Sequence, residues 1–420
     1  MNESYITALD LGNNCFKGIL AQTTEENKFI IHATETVKSV GLFNGKVVDI
    51  KDLASQVGIL LEKLHDNDNY EVSTLYVSIS GDYIKQQNAT TEISISSDDS
   101  QVEITELHLQ QIGNDICAKV LQDEANHGFE IIHTIPKFYK IDENTDIYKH
   151  PVMFTASKVS GDMTLILADS SVLKNYEKAF HIIGYDVDRF ISSAYASSLC
   201  SASEEEKKLG CITIDIGSNV TDCTVYTNGH IKFLNTINVG SSLISHDIFT
   251  ILKTPPENAE YMKKEIGKIV DRDFDWNSEV QLKSFDASLP SVIKAQVLRD
   301  IILSRVRDIL EQCYKSLLDN YSYEDISTGI ILTGGACNLT SFRDIAQETF
   351  NLPVKIATSN CNLIEKNKES INQLEFSTIS GILEFISTIK EEKKTKLNIN
   401  LSKHINFKNV LDRLVKYFSN

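Results

Sequence analysis

Two short segments with one plan hold the residues best suited to chemistry. In ALDLGNNCFKGIL and TIDIGSNVTDCTV an aspartate precedes a glycine turn, and a second charged residue follows seven positions later. The pairs are Asp10 with Lys17 and Asp215 with Asp222. Carboxylate oxygens suit Mg²⁺, often through water, and glycine lets backbone N–H groups approach a phosphate closely. The repeat therefore predicts two facing turns that hold a polyphosphate and its metal.

We predict a division of labour within these turns. Asp10 and Asp215 would hold Mg²⁺ through water, and Asp222 is a further candidate for the metal or an attacking water. The candidate phosphate-binding residues are Gly12, Asn13, Asn14, Lys17, Gly217, Ser218 and Asn219. The sequence contains no GxxxxGK[ST] motif, so the turns do not form a Walker P-loop. Either turn alone would be read as a plain hairpin.

A third turn, ILTGGACNLTSF, has paired glycines between an apolar strand and a helix. Gly334 and Gly335 would let a flat base or ribose pack against bare backbone beside a helix N-terminus. A TGG sequence after a strand is often an ordinary turn. The three turns in this order, however, predict a nucleotide site.

Charge and composition limit the other functions. The chain has 420 residues and a net charge of −17, which argues against general nucleic-acid binding because that needs a basic surface. Eight cysteines occur without a CxxC pair, so we expect free thiols and neither disulfides nor zinc. No signal peptide is visible, and no apolar run reaches the ~18–20 residues of a spanning helix. We therefore expect a cytoplasmic protein.

The elements that must position the turns alternate between strands and helices, which predicts an α/β fold with two similar halves. YITALDL and CITIDI have the apolar character of buried strands. Residues 82–161 are polar and rich in Ser, Thr and Asp, and we predict a small inserted α+β module there. Residues 389–405 are charged and lack an apolar period, which predicts a flexible linker.

The last fifteen residues, 406–420, are predicted to form an amphipathic helix. Its apolar face would contain Phe407, Val410, Leu411, Leu414 and Phe418, and its basic residues are Lys408, Arg413 and Lys416. This composition is typical of a helix that lies in the headgroup plane of an anionic membrane. A helix docked on the protein's own core is the alternative. The polar linker and the basic bias favour the membrane.

The order of these motifs resembles the actin/Hsp70/sugar-kinase superfamily, and more closely the FtsA family of bacterial cell-division proteins. ALDLGNN resembles the family's phosphate-1 turn, IIHTIPKFYKID a strand of its inserted subdomain 1C, and ILTGGACNL its adenosine turn. TPPENAEYMKKEIG resembles its stretch near the adenine, and the C-terminus its membrane-targeting helix. The resemblance covers nearly the whole chain. It implies adenosine contacts at Gly240, Lys263, Gly334, Gly335 and Ala336.

The resemblance also implies a fold and its division. We expect the duplicated actin/Hsp70-like ATPase fold with an inserted small α+β subdomain and a C-terminal amphipathic helix. The implied parts are subdomain 1A (1–81, 162–208 and 366–388), 1C (82–161), 2A (209–243 and 325–365), 2B (244–324), the linker (389–405) and the membrane-targeting helix (406–420).

The resemblance further implies a role in cell division. FtsA proteins bind ATP, polymerise, and tether the tubulin-like protein FtsZ to the cytoplasmic face of the inner membrane at the division site. The implied partners are the FtsZ C-terminal peptide on 2B, later division proteins on 1C, further copies of the chain and anionic lipids. A basic helix face with Arg299, Arg305 and Arg307 is a candidate FtsZ contact, although a solvated face is the commoner explanation.

The sequence departs from the family where phosphate would bind. The second turn usually reads DIGGGTxD, whereas Ser218, Asn219 and Val220 stand here in place of two glycines and a threonine. Cys15 occupies a position that is usually lysine. Side chains narrow the approach to the turn. We therefore expect ATP and Mg²⁺ to bind but hydrolysis to be weak or absent.

Three other functions share such a fold. A kinase or true ATPase would turn over ATP, and the altered second turn argues against that reading. A pilus-assembly scaffold like PilM lacks the terminal membrane helix. A filament protein like MreB carries a different small subdomain from the segment at 82–161.

Overall fold

Strands and helices alternate through the computed structural model, which describes residues 5–24, 26, 28–65, 74–96, 100–266, 275–283, 292–318, 325–339, 341–357, 364–366 and 373–400. The strands are β1 Tyr5–Leu11, β2 Cys15–Thr23, β3 Phe29–Lys38, β4 Leu42–Phe43, β5 Lys46–Val47, β6 Leu75–Ile79, β7 Ile84–Ser94, β8 Val102–Glu103, β9 Phe129–Ile141, β10 Thr155–Ala156, β11 Lys158–Asp169, β12 Arg189–Ser192, β13 Cys211–Ile216, β14 Thr221–Thr227, β15 His230–Ile237, β16 Glu279–Gln281, β17 Val292–Lys294, β18 Ile330–Thr333, β19 Val354–Ile356 and β20 Ile364–Lys366. The helices are α1 Ile50–His65, α2 Glu106–Gln122, α3 Ser170–Ile182, α4 Ser193–Ser201, α5 Glu204–Leu209, α6 Ser242–Leu252, α7 Pro256–Ile266, α8 Ala295–Leu318, α9 Ser341–Phe350 and α10 Ser377–Asn400.

Two sheets repeat the plan seen in the sequence. The first has the strand order β12-β6-β1-β2-β3-β20, and the second has the order β15-β14-β13-β18-β19. In each sheet an antiparallel hairpin, β1–β2 or β13–β14, adjoins a strand parallel to its first member, β6 or β18. Asp10 and Asp215 occupy corresponding positions near the ends of β1 and β13. The duplication predicted from the two hairpins is therefore visible in the sheet topology.

The sheets are held by helices whose apolar residues recur at helical spacing. On α1 these residues are Leu53, Val57, Leu60, Leu61 and Leu64, and all five are buried, as the sequence pattern predicts. They pack with the apolar side chains of β1 and β6 in one cluster. β1 and β13 are nearly continuous apolar runs because side chains on both faces of these strands are buried.

A third sheet contains the strands β7 and β9 of the predicted insertion (82–161) and has its own core, but its strand β11 continues past residue 161 to Asp169. Its strand order is β7-β11-β9, and β11 pairs antiparallel with both neighbours along most of its length. The buried residues Ile112 and Ile116 of α2 join Met163 and Leu165 of β11 in a separate apolar cluster. This small α+β unit therefore interrupts the first half of the fold, since β6 before it and β12 after it belong to the same sheet.

The helices α4 and α10 cross at very close range. A Cβ atom at Gly381 would overlap the backbone carbonyl of Ala196, so only glycine fits at this crossing. α10 continues to Asn400, so the backbone of residues 389–400 is helical where the sequence predicted a flexible linker. Glu and Lys have high helix propensity even where no apolar face is formed, so apolar periodicity alone does not detect this part of the helix. The predicted amphipathic helix, 406–420, lies outside the described residues.

Within the described part of the chain, no helix is long and apolar enough to cross a membrane. The cysteines described there are free thiols, and Cys117, Cys211, Cys223, Cys313 and Cys337 are buried. Cys361 lies outside the described residues.

The close crossing of α4 and α10 can be tested with one methyl group. We expect Gly381→Ala to lower the free energy of unfolding by about 1–3 kcal/mol because the helices must move apart. Gly58→Ala in α1 is the matched control, since its Cβ would meet Ile183 at an ordinary 3.5 Å. That change should be neutral or stabilise by up to about 1 kcal/mol through helix propensity. Urea denaturation measures the free energy of unfolding of both variants and the wild type. A Gly381→Ala variant as stable as the Gly58→Ala variant would contradict the close approach of Gly381 to Ala196.

Candidate functional site

The first hairpin places a lysine beside an aspartate. Asp10 and Lys17 are directly opposite in the β1–β2 ladder, and the Lys17 ammonium lies 3.3 Å from the Asp10 carboxylate. Ser78 of β6 donates a hydrogen bond of 2.9 Å to the other Asp10 oxygen, and Lys17 donates at 2.6 Å to the Glu375 carbonyl. Burial acts to lower the pKa of Lys17, but the Asp10 carboxylate outweighs it, and the pKa lies above its usual value. The buried lysine therefore remains charged.

The second hairpin places two carboxylates where the first has an ion pair. Asp215 and Asp222 are opposite in the β13–β14 ladder. Ser80 donates to both Asp222 oxygens at 2.8 and 2.9 Å, and Thr236 also donates to one of them. Burial raises the pKa of Asp215 to about 6, helped by Asp10, and burial raises that of Asp222 to about 7, helped by Asp215. A nearby cation would favour the ionised forms of both groups.

The carboxylates of the two hairpins could take part in holding a metal. Among the described residues, no three His, Cys, Asp or Glu side chains are close enough to enclose an ion. Mg²⁺ usually keeps several waters and takes one or two carboxylates plus phosphate oxygens. Asp10 and Asp215 could supply those carboxylates, so the arrangement suits a metal that arrives with a polyphosphate.

The second turn packs against the loop that follows β15. The backbone N–H of Ser241 donates to the Gly217 carbonyl at 3.0 Å, and a Cβ at Gly240 would overlap the Ser218 carbonyl. Lys263 of α7 donates to the Ser241 carbonyl at 3.2 Å. Burial lowers the pKa of Lys263 against the opposing effect of a neighbouring glutamate. Gly240 and Lys263 thus lie beside the second turn.

The third turn reaches the same place from β18. Gly334 has φ +89°, and a Cβ there would overlap the Asp215 carboxylate and approach the Ile216 backbone. A Cβ at Gly335 would come within 3.4 Å of the Glu375 side chain, whose backbone carbonyl accepts from the lysine of the first hairpin. Ala336 follows and is buried. The three turns therefore converge on one cleft.

The remaining phosphate candidates lie at the rim of this cleft. The Asn13 side chain accepts from the backbone N–H of Gly45 at 3.2 Å, and the Asn219 side chain donates to that of Asn44 at 3.4 Å. The backbone carbonyl of Asn14 accepts from the Ser39 N–H at 3.1 Å. Gly12 and Ser218 complete the two turns, and Ser218 donates from its hydroxyl to Asn219.

The arginines considered for the FtsZ contact are already engaged. Arg305 forms a bidentate pair with Asp247 at 2.6 and 2.9 Å and a further bond to Asp308. Arg307 lies 3.3 Å from a glutamate of α9, and Arg299 stacks on Trp276 at 4.8 Å. Arg305 and Arg299 thus contact residues of their own predicted subdomain, and Arg307 reaches a residue of the predicted 2A.

Several residues that complete the cleft were not predicted from the sequence. Ser80 and Thr236 bind Asp222, and Ser377 donates to Asp215 at 3.4 Å. They come from distant parts of the chain, so no local motif marks them. Ser78 and Ser80 alternate at the end of a strand before a glycine, and this pattern could have placed them beside Asp10 once β6 was paired with β1.

The convergence of three turns between two repeated sheets defines a class of protein. The fold is that of the actin-like proteins. It is similar to PilM of a PilM-PilN type IV pilus biogenesis complex, with a TM-score of 0.60, 12% identity and coverage of 92% of this chain and 99% of that one. It is also similar to MreB5 of Spiroplasma citri bound to ADP, with a TM-score of 0.54, 16% identity and coverage of 93% and 98%.

Within that class the sequence identifies the family. A model for "Cell division protein FtsA" matches residues 212–381, and one for "SHS2 domain inserted in FTSA" matches residues 81–167. The FtsA protein of Buchnera aphidicola subsp. Baizongia pistaciae is 27% identical over 394 residues, covering 92% of this chain and 91% of that protein. That of Escherichia coli K12 is 25% identical over 362 residues, covering 84% and 83%. The chain belongs to the FtsA family of cell-division proteins.

The raised pKa values of Asp215 and Asp222 predict how stability depends on pH. Both folded pKa values, about 6 and about 7, exceed the ordinary 3.8, so the folded protein binds protons that the unfolded chain releases. This contribution is fully present below about pH 4 and is lost as pH rises through 6 and 7. Asp222→Asn imitates the protonated acid and keeps an acceptor for Ser80 and Thr236.

We therefore expect the Asp222→Asn variant, without nucleotide or divalent metal, to be more stable than the wild type at pH 8 by about 1–4 kcal/mol. The difference should fade toward pH 5. Asp82→Asn is a control of opposite sign, because a hydrogen bond from Lys46 lowers the pKa of Asp82. Denaturation curves from pH 5 to 8 measure all three proteins. If the stability of Asp222→Asn differs from that of the wild type by the same amount at every pH, the raised pKa of Asp222 would be contradicted.

Proposed function

We propose that this chain is an ATP-binding cell-division scaffold that polymerises and tethers FtsZ filaments to the cytoplasmic face of the inner membrane. The observation that carries the proposal is the convergence of both DxG hairpins and the TGG turn on one cleft in a member of the FtsA family. Asp10 and Asp215 would hold Mg²⁺ through water, while Lys17 and the first two turns would contact phosphate. Gly334, Gly335 and Ala336 would pack against the adenosine, with Gly240 and Lys263 beside it.

The same geometry supports weak hydrolysis. A general base for an attacking water must be ionised and have an oxygen available. Both Asp222 oxygens already accept a hydrogen bond from Ser80, and one of them also accepts from Thr236. Lys17 is likewise held by Asp10 and by the Glu375 carbonyl. The cleft therefore has groups that could bind a nucleotide, whereas the oxygens of Asp222 are already occupied and poorly placed to activate a water.

We expect ATP to bind and to turn over far more slowly than the about 1–10³ s⁻¹ of ordinary enzymes. Phosphate release from full-length protein, with bound nucleotide measured in the same sample, tests both statements. Asp222→Asn should change a slow rate little, because Asp222 is not acting as the base. Turnover within the ordinary range, lost in this variant, would favour a true ATPase.

The membrane contact is proposed for residues 406–420. A single short amphipathic helix binds weakly and reversibly, and several copies linked in a polymer would bind much more strongly through effective concentration. The described part of α10 begins in the cleft, where Ser377 donates to Asp215, and runs to Asn400. The described helix that precedes the tail in sequence therefore starts at the proposed nucleotide site.

We expect the full chain to sediment with anionic liposomes in the presence of ATP, and a chain ending at Ile405 to remain in solution. Two single substitutions refine the test. Leu411→Glu lies on the apolar face and should abolish binding, whereas Asn409→Glu makes the same charge change on the polar face and should weaken it only modestly. Equal behaviour of the full and shortened chains would place the membrane contact elsewhere or exclude it, and a soluble scaffold would then be favoured.

The protein partners follow from the family and are proposed by subdomain. The FtsZ C-terminal peptide would bind 2B (244–324), and later division proteins would bind 1C (82–161). Because the arginines of α8 are paired internally, the contact with FtsZ would use other residues of 2B.

A further inference from the structure

The short hairpin β4–β5 carries a rigid tip at Asn44 and Gly45. Both residues have positive φ, +47° and +70°, as a tight two-residue hairpin turn requires. The Tyr176 hydroxyl donates to the Gly45 carbonyl at 2.8 Å, and a Cβ at Gly45 would overlap the Ser80 carbonyl. The tip is therefore fixed against α3 and against the end of β6.

This tip touches both phosphate turns, although the turns belong to different halves of the fold. The Gly45 N–H donates to the Asn13 side-chain oxygen at 3.2 Å, and the Asn44 side-chain oxygen accepts from the Asn219 amide at 3.4 Å. The contact with Asn219 spans 175 positions of sequence. The neighbouring Lys46 forms an ion pair with Asp82 at 2.7 Å. Asp82 also accepts a hydrogen bond from Asn238, which belongs to the other half of the fold. The hairpin is thus a strut across the mouth of the cleft.

The chemistry of the two asparagines indicates what the strut does. The Asn13 side-chain oxygen accepts a hydrogen bond from the tip, which leaves the side-chain N–H groups of Asn13 available to donate. Asn219 donates one side-chain N–H to the tip, and its second N–H remains available. The cleft is rich in carboxylates, and Lys17 is already held by Asp10 and the Glu375 carbonyl. Neutral amide donors therefore matter for a phosphate that enters this acidic cleft.

We propose that Asn44 is a positioning residue for the terminal phosphate of a bound nucleoside triphosphate. It fixes the Asn219 side chain so that the remaining amide N–H faces the space between the two turns, while Gly45 does the same for Asn13. The proposal rests on the proposed nucleotide binding and adds to it a residue that itself touches no nucleotide. It predicts that the hairpin discriminates the triphosphate from the diphosphate.

The test is a comparison of two asparagines in the same backbone conformation. Asn44→Gly removes the side chain and keeps a residue that tolerates positive φ. Asn228→Gly is the matched control, because Asn228 has φ +54° in the β14–β15 hairpin and is followed by Gly229 at +80°. Full-length proteins are titrated by calorimetry with Mg²⁺ and either a non-hydrolysable ATP analogue or ADP. Asn219→Ala and the double variant Asn44→Gly with Asn219→Ala complete a mutant cycle.

We expect Asn44→Gly to weaken binding of the ATP analogue by about two- to tenfold, the effect of one hydrogen bond, and to leave ADP binding nearly unchanged. Asn228→Gly should bind both nucleotides like the wild type, and the double variant should bind no more weakly than Asn219→Ala. Equal weakening for both nucleotides, additive effects in the cycle, or an Asn44→Gly variant that behaves like the control would each overturn the inference. A wild type that binds neither nucleotide would overturn the proposed function as well.

Discussion

The structure depends on how the buried negative charge between its two halves is balanced. Asp10, Asp215 and Asp222 share one cleft with the ammonium of Lys17. Isolated charges are costly away from water, so each carboxylate is paired, bonded by hydroxyl groups or kept partly protonated. The hydroxyl donors come from β6, β15 and the start of α10. Neutralising the charge thus brings distant parts of the chain together.

Much of this arrangement was predictable from short motifs. The repeated aspartate-glycine hairpins indicate the two similar sheets. In each hairpin the charged residues are seven positions apart, and a tight turn between two antiparallel strands places such residues opposite each other, as Asp10 is to Lys17 and Asp215 to Asp222. The apolar period of α1 predicts its buried face correctly. These features are local, and they depend on turn geometry and side-chain burial.

The remaining features depend on tertiary contacts that no local pattern encodes. Ser80 and Asp222 are 142 positions apart, and Asn44 and Asn219 are 175 apart. From the sequence, Gly381 is only a residue with low helix propensity. The structure shows why it is needed, because the backbone of Ala196 leaves no room for a Cβ atom. The extension of α10 to Asn400 was missed for a different reason, because periodicity detects an apolar face and this segment is polar.

The length of α10 has a mechanical consequence. A helix of 24 residues is about 36 Å long, and its first turns are fixed in the core beside the cleft. A coil of similar length would let its far end explore many directions, whereas a helix transmits orientation. The Asn400 end of the described helix therefore has a defined position and direction relative to the cleft. If residues 406–420 bind lipid as proposed, such a rod would limit which sides of the body can face the membrane.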